Sequence, residues 1–291
     1  MSAHLVNGQS DNRLSISDRG LNYGDGLFET IQIRDAVPLL WQAHISRMRT
    51  SAKRLKIDFP ESLEVSFFND FEKLCNGSTA PLVLKLMLTR GETQRGYKID
   101  PKASITRITI LSLAPNLVKL TRDGISVVLC QTQLARQPLL AGIKHLNRLE
   151  QVMARSEWQA TSITEGIVCD TQGYVIEGCM SNLFWVKNNI LHTPDLSLSG
   201  VEGVMRNQVI ELCKEHQLID TRSGFYSKQD LLNADEIFIT NSVFDILAVV
   251  NVEADYSTQD IMFTPRIFKF GPITRALQAL LQQYYLRKSP V

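Results

Sequence analysis

The sequence lacks the features that several classes of protein need. Its 31 Lys and Arg residues nearly balance its 30 Asp and Glu residues, so the formal net charge at pH 7 is only +1. Such a chain has no global field that attracts a nucleic acid or an acidic membrane surface. No apolar run approaches the roughly 20 residues that cross a bilayer. We therefore expect neither nucleic acid nor a membrane as a partner.

Patterns typical of metal sites, disulfides and secretion are also missing. The chain has five cysteines without C-x-x-C spacing and only five histidines. An odd number of scattered cysteines argues against a disulfide framework and a zinc knuckle, and few histidines leave little material for a metal site. The N-terminus has no basic segment followed by an apolar signal region. We expect a soluble, cytoplasmic protein without a metal, whose chemistry relies on side chains and an organic cofactor.

Length and patterning predict two domains of the α/β (α+β) class. A chain of 291 residues, 44% of them hydrophobic, can bury one large core or two modest ones. Turn-forming and charged residues over 115–123 separate two regions with their own strand patterns. We predict a smaller N-terminal α/β domain over residues 1–114, a linker over 115–123, and a larger C-terminal domain over 124–291. The C-terminal domain should be β-rich, flanked by helices, and carry the cofactor.

Residues 38–55 are predicted to form an amphipathic helix. Ile45 and Met48 recur at helical spacing, whereas His44 and Arg47 fall among the residues of a basic side. This pattern predicts a buried apolar stripe and a solvated basic stripe on the same helix.

Two hairpins and one capped helix are predicted in the second half of the chain. Apolar runs flank polar turns within residues 167–176 and 183–192, which favours a hairpin in each range. Asn147 is expected to cap a helix, because Glu150 follows it in capping-box register.

Lys144 and Glu177 are candidates for chemistry. Lys144 lies in segment 139–147, a small, apolar neighbourhood where desolvation favours a neutral, nucleophilic amine suited to a Schiff base. Glu177 follows a predicted strand, so its carboxylate could keep a pyridinium nitrogen protonated. A surface lysine and a solvated strand-end glutamate would show the same local patterns.

Three further features suit a phosphate group. Gly203 opens a predicted helix, which directs backbone N–H groups and the positive helix end outward. The Arg47 guanidinium can bind phosphate through two hydrogen bonds. Asn241 and Ser242 follow a predicted strand and offer further donors, although a turn, a solvated helix face and a loop cap explain these residues equally well.

Taken in order along the chain, these features resemble the fold-type IV, or branched-chain aminotransferase-like, family of pyridoxal-phosphate enzymes. The resemblance extends from residues 17–30, SDRGLNYGDGLFET, through residues 44–47, HISR, to Asn241 and Ser242. It implies pyridoxal 5'-phosphate as cofactor, two domains, and a homodimer. It also implies a set of cofactor-binding residues: Lys144 as the Schiff-base lysine, Glu177 at the pyridine nitrogen, and Arg47, Val204, Met205 and Ser242 at the phosphate.

Within that family, residues 141–151, AGIKHLNRLEQ, resemble the aminodeoxychorismate lyases, and residues 90–97, RGETQRGY, agree with them. The resemblance implies conversion of 4-amino-4-deoxychorismate into 4-aminobenzoate and pyruvate, a step toward folate. An aminodeoxychorismate synthase would supply the substrate.

The same resemblance implies roles in catalysis and substrate binding. Lys144 would move protons as general base and then acid, and Thr30, where branched-chain aminotransferases typically have glycine, would assist. Arg95 and Tyr97 would bind a substrate carboxylate by charge and phenol hydrogen bonding. A strand threonine and solvated loop residues are the alternative interpretations of these three positions.

Two other functions fit the resemblance. A branched-chain or D-amino-acid aminotransferase would share the cofactor contacts and differ only in the substrate pocket. Phe28 departs from the D-amino-acid aminotransferase pattern, which has tyrosine there. A catalytically silent cofactor-binding protein of the same fold is the other alternative.

Overall fold

The structure, a computed structural model, describes residues 3–101, 103–253 and 265–288. It separates into two compact units. Unit 1 contains the described residues up to Pro115 together with Ile143–Asn147. Unit 2 contains Asn116–Gly142 and the described residues from Arg148 onward.

Unit 1 is built on an antiparallel sheet, which in the described residues has five strands in the order β1-β5-β4-β2-β3. Its elements in chain order are β1 (Ala3–Val6), α1 (Arg19–Tyr23), β2 (Gly26–Arg34), β3 (Val37–Pro38), α2 (Trp41–Leu55), α3 (Ser62–Cys75), β4 (Leu82–Thr89) and β5 (Thr106–Leu113).

The core of unit 1 forms because the apolar stripes of strand and helix match. Leu27 and Ile31 alternate along β2 with half-buried residues, and they share a buried cluster with Ile45 and Met48 of α2. The predicted amphipathic helix is therefore confirmed. The prediction that His44 lies on the solvated side of this helix is wrong, because His44 is buried with 1% exposure.

Ile143–Asn147 clusters with unit 1 through the open edge of β2. Strand β3 pairs with β2 only at the C-terminal end of β2, so the first residues of β2 have no strand partner on that edge. Phe28 N donates to Lys144 O at 3.0 Å, and Leu146 N donates to Gly26 O at 2.9 Å. A linear division at residues 114 and 124 did not anticipate this pairing; the predicted domain boundaries themselves stay a prediction.

Unit 2 contains a mixed sheet, which in the described residues has nine strands, eight of them in the order β11-β10-β9-β12-β13-β6-β7-β8. Strand β14 pairs with β13. The elements are α4 (Val118–Asp123), β6 (Ile125–Leu134), α5 (Leu149–Ser156), β7 (Ile163–Asp170), β8 (Val175–Gly178), β9 (Asn182–Lys187), β10 (Ile190–Pro194), α6 (Val204–Glu215), β11 (Asp220–Gly224), α7 (Lys228–Leu232), β12 (Glu236–Asn241), β13 (Asp245–Glu253), β14 (Arg266–Ile267) and α8 (Pro272–Lys288).

Both predicted hairpins are confirmed, since β7 pairs antiparallel with β8 and β9 with β10. The predicted cap of α5 is wrong. The helix starts after Arg148 without a side-chain cap, because the Asn147 side chain donates to Gly24 O at 2.9 Å. Glu150 accepts from Ala135 N at 2.9 Å instead of closing a capping box.

Within the described residues, no helix combines the length and apolar character that a membrane span requires. In the same residues, no group of three or more His, Cys, Asp or Glu side chains is arranged to hold a metal ion. The five cysteines, all of them in described segments, are buried free thiols.

Candidate functional site

In unit 1 the structure gathers Lys144 with residues of one face of the sheet. The Lys144 Nζ lies 4.3 Å from the centroid of the Phe28 ring, within the range of a cation–π contact. Thr30 projects from the same face of β2 as Phe28, since side chains two apart on a strand share a face. Lys85 of β4 pairs with Thr30 in register, and its Nζ lies 5.2 Å from the Phe28 ring. Two amines therefore lie near one aromatic ring, and Thr30 is on the same face of the sheet.

The neighbouring residue of β2, Glu29, faces the core and holds Arg47. The carboxylate of Glu29 is 1% exposed; its Oε1 accepts from Arg47 Nε at 2.9 Å, and its Oε2 accepts from the same guanidinium. Oε2 also lies 2.6 Å from His44 Nδ1. Glu29 therefore fixes the orientation of the predicted phosphate ligand through two charge-assisted hydrogen bonds.

Electrostatics favour an ionised Glu29 and a neutral His44. Burial by itself would raise the pKa of Glu29, but the Arg47 charge and the hydrogen bonds from His44 and Arg47 outweigh it and lower that pKa to about 2. Burial lowers the pKa of His44, and the charges of Arg47 and Lys144 lower it further against the opposing effect of Glu29. Neutral His44 then donates its Nδ1 proton to Glu29, and its buried Nε2 has no hydrogen-bond partner among the described residues.

Replacing Glu29 by glutamine is expected to lower the free energy of unfolding by about 3 kcal/mol, because Arg47, whose side chain is 13% exposed, would lose its charge-assisted hydrogen bonds to a buried carboxylate. Urea unfolding monitored by circular dichroism measures the change. Glu64→Gln is the matched control: Glu64 pairs with Arg49 at 2.8 Å on the surface, where the loss should stay below about 1 kcal/mol. Equal losses in the two variants would contradict the role given to Glu29.

The contribution of Glu29 to stability should depend on pH with a defined sign. Its pKa in the folded protein, about 2, lies below the ordinary value of 4.5, so the unfolded chain takes up the proton first as pH falls. The stabilisation is complete above about pH 4.5 and is lost toward about pH 2. The stability difference between the wild-type protein and Glu29→Gln should narrow over that interval, and a constant difference would show that Glu29 does not cause it.

In unit 2, Glu177 lies at the end of β8 with 4% exposure. Its Oε2 accepts from Val201 N at 2.8 Å, while Asn182 Nδ2 donates to Val201 O at 2.8 Å. Burial lowers the pKa of the Arg148 guanidinium, and the Glu177 carboxylate opposes that effect as a neighbouring negative charge. Glu177 is thus a buried, oriented carboxylate, as its predicted role requires.

The N-cap of α6 lies two residues after Val201. Gly203 is the N-cap and supplies no side-chain hydrogen bond to the first turn. A Cβ at this position would lie 1.9 Å from Asn182 Oδ1, so only glycine fits here. The backbone of Val204 and Met205 therefore begins the helix without a capping side chain, which suits an anion at the helix N-terminus.

Ser242 occupies the turn between β12 and β13. Asn241 organises this turn: its Oδ1 accepts from Val243 N at 2.8 Å and Phe244 N at 3.0 Å. Its Nδ2 donates to Met180 O at 3.1 Å, three residues after Glu177. The loop-cap interpretation therefore fits Asn241, whereas the role of Ser242 stays a prediction.

Arg95 and Tyr97 lie on an exposed loop of unit 1, with Tyr97 at 84% exposure. The structure does not bring them against Lys144. Two charged neighbours of the predicted residues were missed in the sequence. Lys85 lies near the Phe28 ring. Arg148 lies close enough to Glu177 for the Glu177 carboxylate to influence the pKa of Arg148. Strand alternation could have indicated Lys85 once β2 and β4 were paired, since it lies opposite Thr30.

The sequence of the segments that form these elements matches a known protein family. Residues 26–252 match the amino-transferase class IV family, and this range includes β2, α2, Lys144, Glu177 and the start of α6. The chain belongs to that family. Mixed α/β architecture and the similarity of the whole chain to solved fold-type IV structures confirm the predicted fold class.

Class IV proteins with different named activities are similar to this chain. It is 34% identical to an aminodeoxychorismate lyase from Vibrio harveyi over 277 residues, which cover 95% of this chain and 98% of that relative. It superimposes on the crystal structure of 4-amino-4-deoxychorismate lyase from Pseudomonas aeruginosa with a TM-score of 0.86 and 36% identity, covering 96% of this chain and 98% of the other. It is 29% identical to the D-alanine aminotransferase of Bacillus licheniformis, with 98% of each chain covered.

Proposed function

We propose that this protein is a pyridoxal-phosphate-dependent lyase that converts 4-amino-4-deoxychorismate into 4-aminobenzoate and pyruvate. The observation that carries the proposal is identity of 34% and 36% to two aminodeoxychorismate lyases over nearly the full length of each chain. The match includes residues 141–151, in which Lys144 lies.

The residues of each unit suit pyridoxal phosphate. Unit 1 supplies the Lys144 amine over an aromatic ring and the Arg47 guanidinium, held in place by buried Glu29. Unit 2 supplies the buried Glu177 carboxylate and the helix start at Gly203, where a Cβ would not fit. An amine, a carboxylate and anion-binding groups are the donor set that this cofactor needs.

Each residue then has one role toward the cofactor. Lys144 would attach it covalently, Glu177 would keep its ring nitrogen protonated, and Arg47 would bind its phosphate. The backbone of Val204 and Met205, with Ser242, completes the phosphate site. When bound, pyridoxal phosphate supplies an electron-poor ring that accepts the electron pair left after a proton leaves the carbon that bears the substrate amine.

Proton movement is the task of the protein's own groups. With the cofactor bound, the Lys144 amine would take the proton from the substrate ring and return a proton to the departing enolpyruvyl group. The C–O bond to that group breaks as the ring becomes aromatic, so the atoms of the substrate equal those of 4-aminobenzoate plus pyruvate. The reaction needs neither water nor an oxidant.

Charged residues of unit 1 are proposed to bind the two substrate carboxylates. Arg95 and Tyr97 offer a guanidinium and a phenol from an exposed loop. Lys85 offers an ammonium beside Phe28 and Thr30. A dicarboxylate substrate matches this excess of donors.

Replacing Thr30 by valine is expected to lower kcat for 4-aminobenzoate formation by about tenfold, because the hydroxyl beside Lys85 would no longer assist proton transfer. The release of 4-aminobenzoate, followed by fluorescence, measures the rate. Thr30→Ser keeps the hydroxyl and should keep most of the activity. Equal rates for the valine and serine variants would remove Thr30 from the catalytic residues.

Product analysis decides between the lyase and an aminotransferase, which the 29% identity to a D-alanine aminotransferase keeps as the second candidate. The purified protein with pyridoxal phosphate should release 4-aminobenzoate and pyruvate in equal amounts from 4-amino-4-deoxychorismate. Turnover of amino-acid and 2-oxo-acid pairs without any aromatic product would overturn the lyase proposal. Absence of both activities would favour a silent cofactor-binding protein.

We further propose a homodimer in the cytoplasm that receives its substrate from an aminodeoxychorismate synthase. The family resemblance supports the dimer, and the five buried free thiols suit a reducing compartment. Light scattering coupled to gel filtration tests the dimer directly.

A further inference from the structure

The loop of residues 92–97 follows β4 and carries Arg95 and Tyr97, two of the proposed substrate ligands. Both side chains are exposed, and a loop with exposed side chains ordinarily samples many conformations. A loop that must present two groups to one carboxylate binds better when it is ordered beforehand. The contacts made by the backbone of this loop are therefore informative.

One buried guanidinium reaches the loop at three residues. Arg19 of α1 is 4% exposed. Its Nη1 donates to Thr93 Oγ1 at 3.2 Å and to Gly96 O at 2.9 Å, and its Nη2 donates to Tyr97 O at 3.4 Å. Arg19 therefore binds the loop backbone across more than 70 positions of sequence, which restricts the conformations of the loop.

Arg19 is itself held by a shared carboxylate. Asp25 Oδ2 accepts from Arg19 Nε at 2.8 Å and from Arg90 Nε at 2.8 Å. Burial raises the pKa of Asp25, but hydrogen bonds from Arg90 and Arg19 outweigh it and lower the pKa below its usual value. Asp25 is therefore a carboxylate at neutral pH, and the rigid fork of Arg19 has one orientation.

Tyr23 adds a second hold on the loop. Its phenol oxygen accepts from Gly96 N at 3.3 Å, and its ring centroid lies 5.4 Å from that of Tyr97. The Arg19 guanidinium lies 5.0 Å from the Tyr23 ring centroid. The backbone N–H and C=O groups of Gly96 are thus both hydrogen-bonded to side chains of α1.

We propose that Arg19 and Tyr23 are positioning residues that order the 92–97 loop and so set the affinity for the substrate carboxylate. The inference rests on the proposed function for the identity of the substrate. The ordering of the loop rests only on the contacts of Arg19 and Tyr23. Neither residue touches the reacting atoms, so their loss should raise KM and leave kcat nearly unchanged.

The test compares Arg19→Gln and Tyr23→Phe with the matched control Arg107→Gln in the holoenzyme. Arg107 also forms a mostly buried ion pair in unit 1, with Asp70 at 2.7 Å, and makes no contact with the loop in the described structure. Hydrogen exchange of peptides covering residues 92–97 and trypsin cleavage after Arg95 report loop order. Steady-state kinetics with 4-amino-4-deoxychorismate and the visible spectrum of the bound cofactor report function.

Arg19→Gln should speed exchange and cleavage of the loop by about tenfold or more and raise KM by about tenfold, with the cofactor spectrum unchanged. Tyr23→Phe should also speed loop exchange and cleavage and raise KM, but by smaller factors. Arg107→Gln should leave loop exchange, loop cleavage and KM unchanged. If Arg19→Gln does not fold, Thr93→Val removes a single contact of the same guanidinium and gives the same readouts.

Unchanged exchange in the Arg19 and Tyr23 variants would overturn the ordering of the loop. Faster exchange with unchanged KM would overturn the role of this ordering in substrate binding. An increase in KM that Arg107→Gln shares would assign the effect to general destabilisation. Lack of lyase turnover in the wild-type protein would refute the proposed function, whereas the exchange measurements would still decide whether Arg19 orders the loop.

Discussion

Replacing Lys144 by alanine is expected to abolish the visible absorption of covalently bound pyridoxal phosphate and to lower 4-aminobenzoate formation by about 1,000-fold or more. Both losses have one cause, because the same amine attaches the cofactor and moves the substrate proton. Spectroscopy of the purified variant and a 4-aminobenzoate assay measure them. Added pyridoxal phosphate should bind without covalent attachment.

The matched control is Lys85→Met. Both amines lie near the Phe28 ring, Lys144 at 4.3 Å and Lys85 at 5.2 Å from its centroid. The Lys85 variant should keep the absorption band and show a raised KM, because it loses only a carboxylate contact. Persistence of the band in Lys144→Ala, or its loss in Lys85→Met, would refute the assignment of the attaching lysine.

Replacing Glu177 by glutamine is expected to lower kcat by about 100-fold while most of the cofactor binding remains. Glutamine has the same shape and still accepts the hydrogen bond from Val201 N. It lacks the negative charge that keeps the ring nitrogen protonated, so the ring would accept electrons less well. Rates per bound cofactor, from single-turnover kinetics, measure the effect.

Glu236→Gln provides the control for removing a buried carboxylate in the same unit. Glu236 is also 4% exposed, but it accepts from Ile273 N at 3.1 Å and from Thr274 N at 3.0 Å at the start of α8. This variant should lose stability and keep its rate per bound cofactor. Similar rates for Glu177→Gln and the wild-type protein would exclude Glu177 as the partner of the ring nitrogen.

Much of the fold was predictable because its signals are local. The apolar runs at 183–186 and 190–192 and the polar turn between them indicate a hairpin without any distant contact. The apolar stripe of α2 likewise indicates the buried face of the helix. Lys144 and Glu177 became candidates from their local context, and the order of motifs along the chain indicated the family.

Predictions failed where a local pattern competed with a distant partner. Asn147 and Glu150 have capping-box spacing, yet their side chains bind Gly24 O and Ala135 N. His44 was placed on a solvated basic face because histidine is polar, but a buried carboxylate 15 residues away gives it a partner in the core. Sequence spacing shows which hydrogen bonds a side chain can form. The fold determines which of the possible partners lies within reach.

Sequence patterns were enough to predict the class of the fold, the elements around the candidate residues and the chemistry proposed for Lys144 and Glu177. The supporting groups became visible only in the folded chain: Glu29, which binds Arg47; Lys85, which lies near Phe28; and Arg19, which binds the 92–97 loop. Periodicity along a chain indicates which face of an element is buried, but it does not identify a distant partner. A buried charge is stabilised by an oppositely charged or hydrogen-bonding partner, and that partner is brought near by the folding of the whole unit.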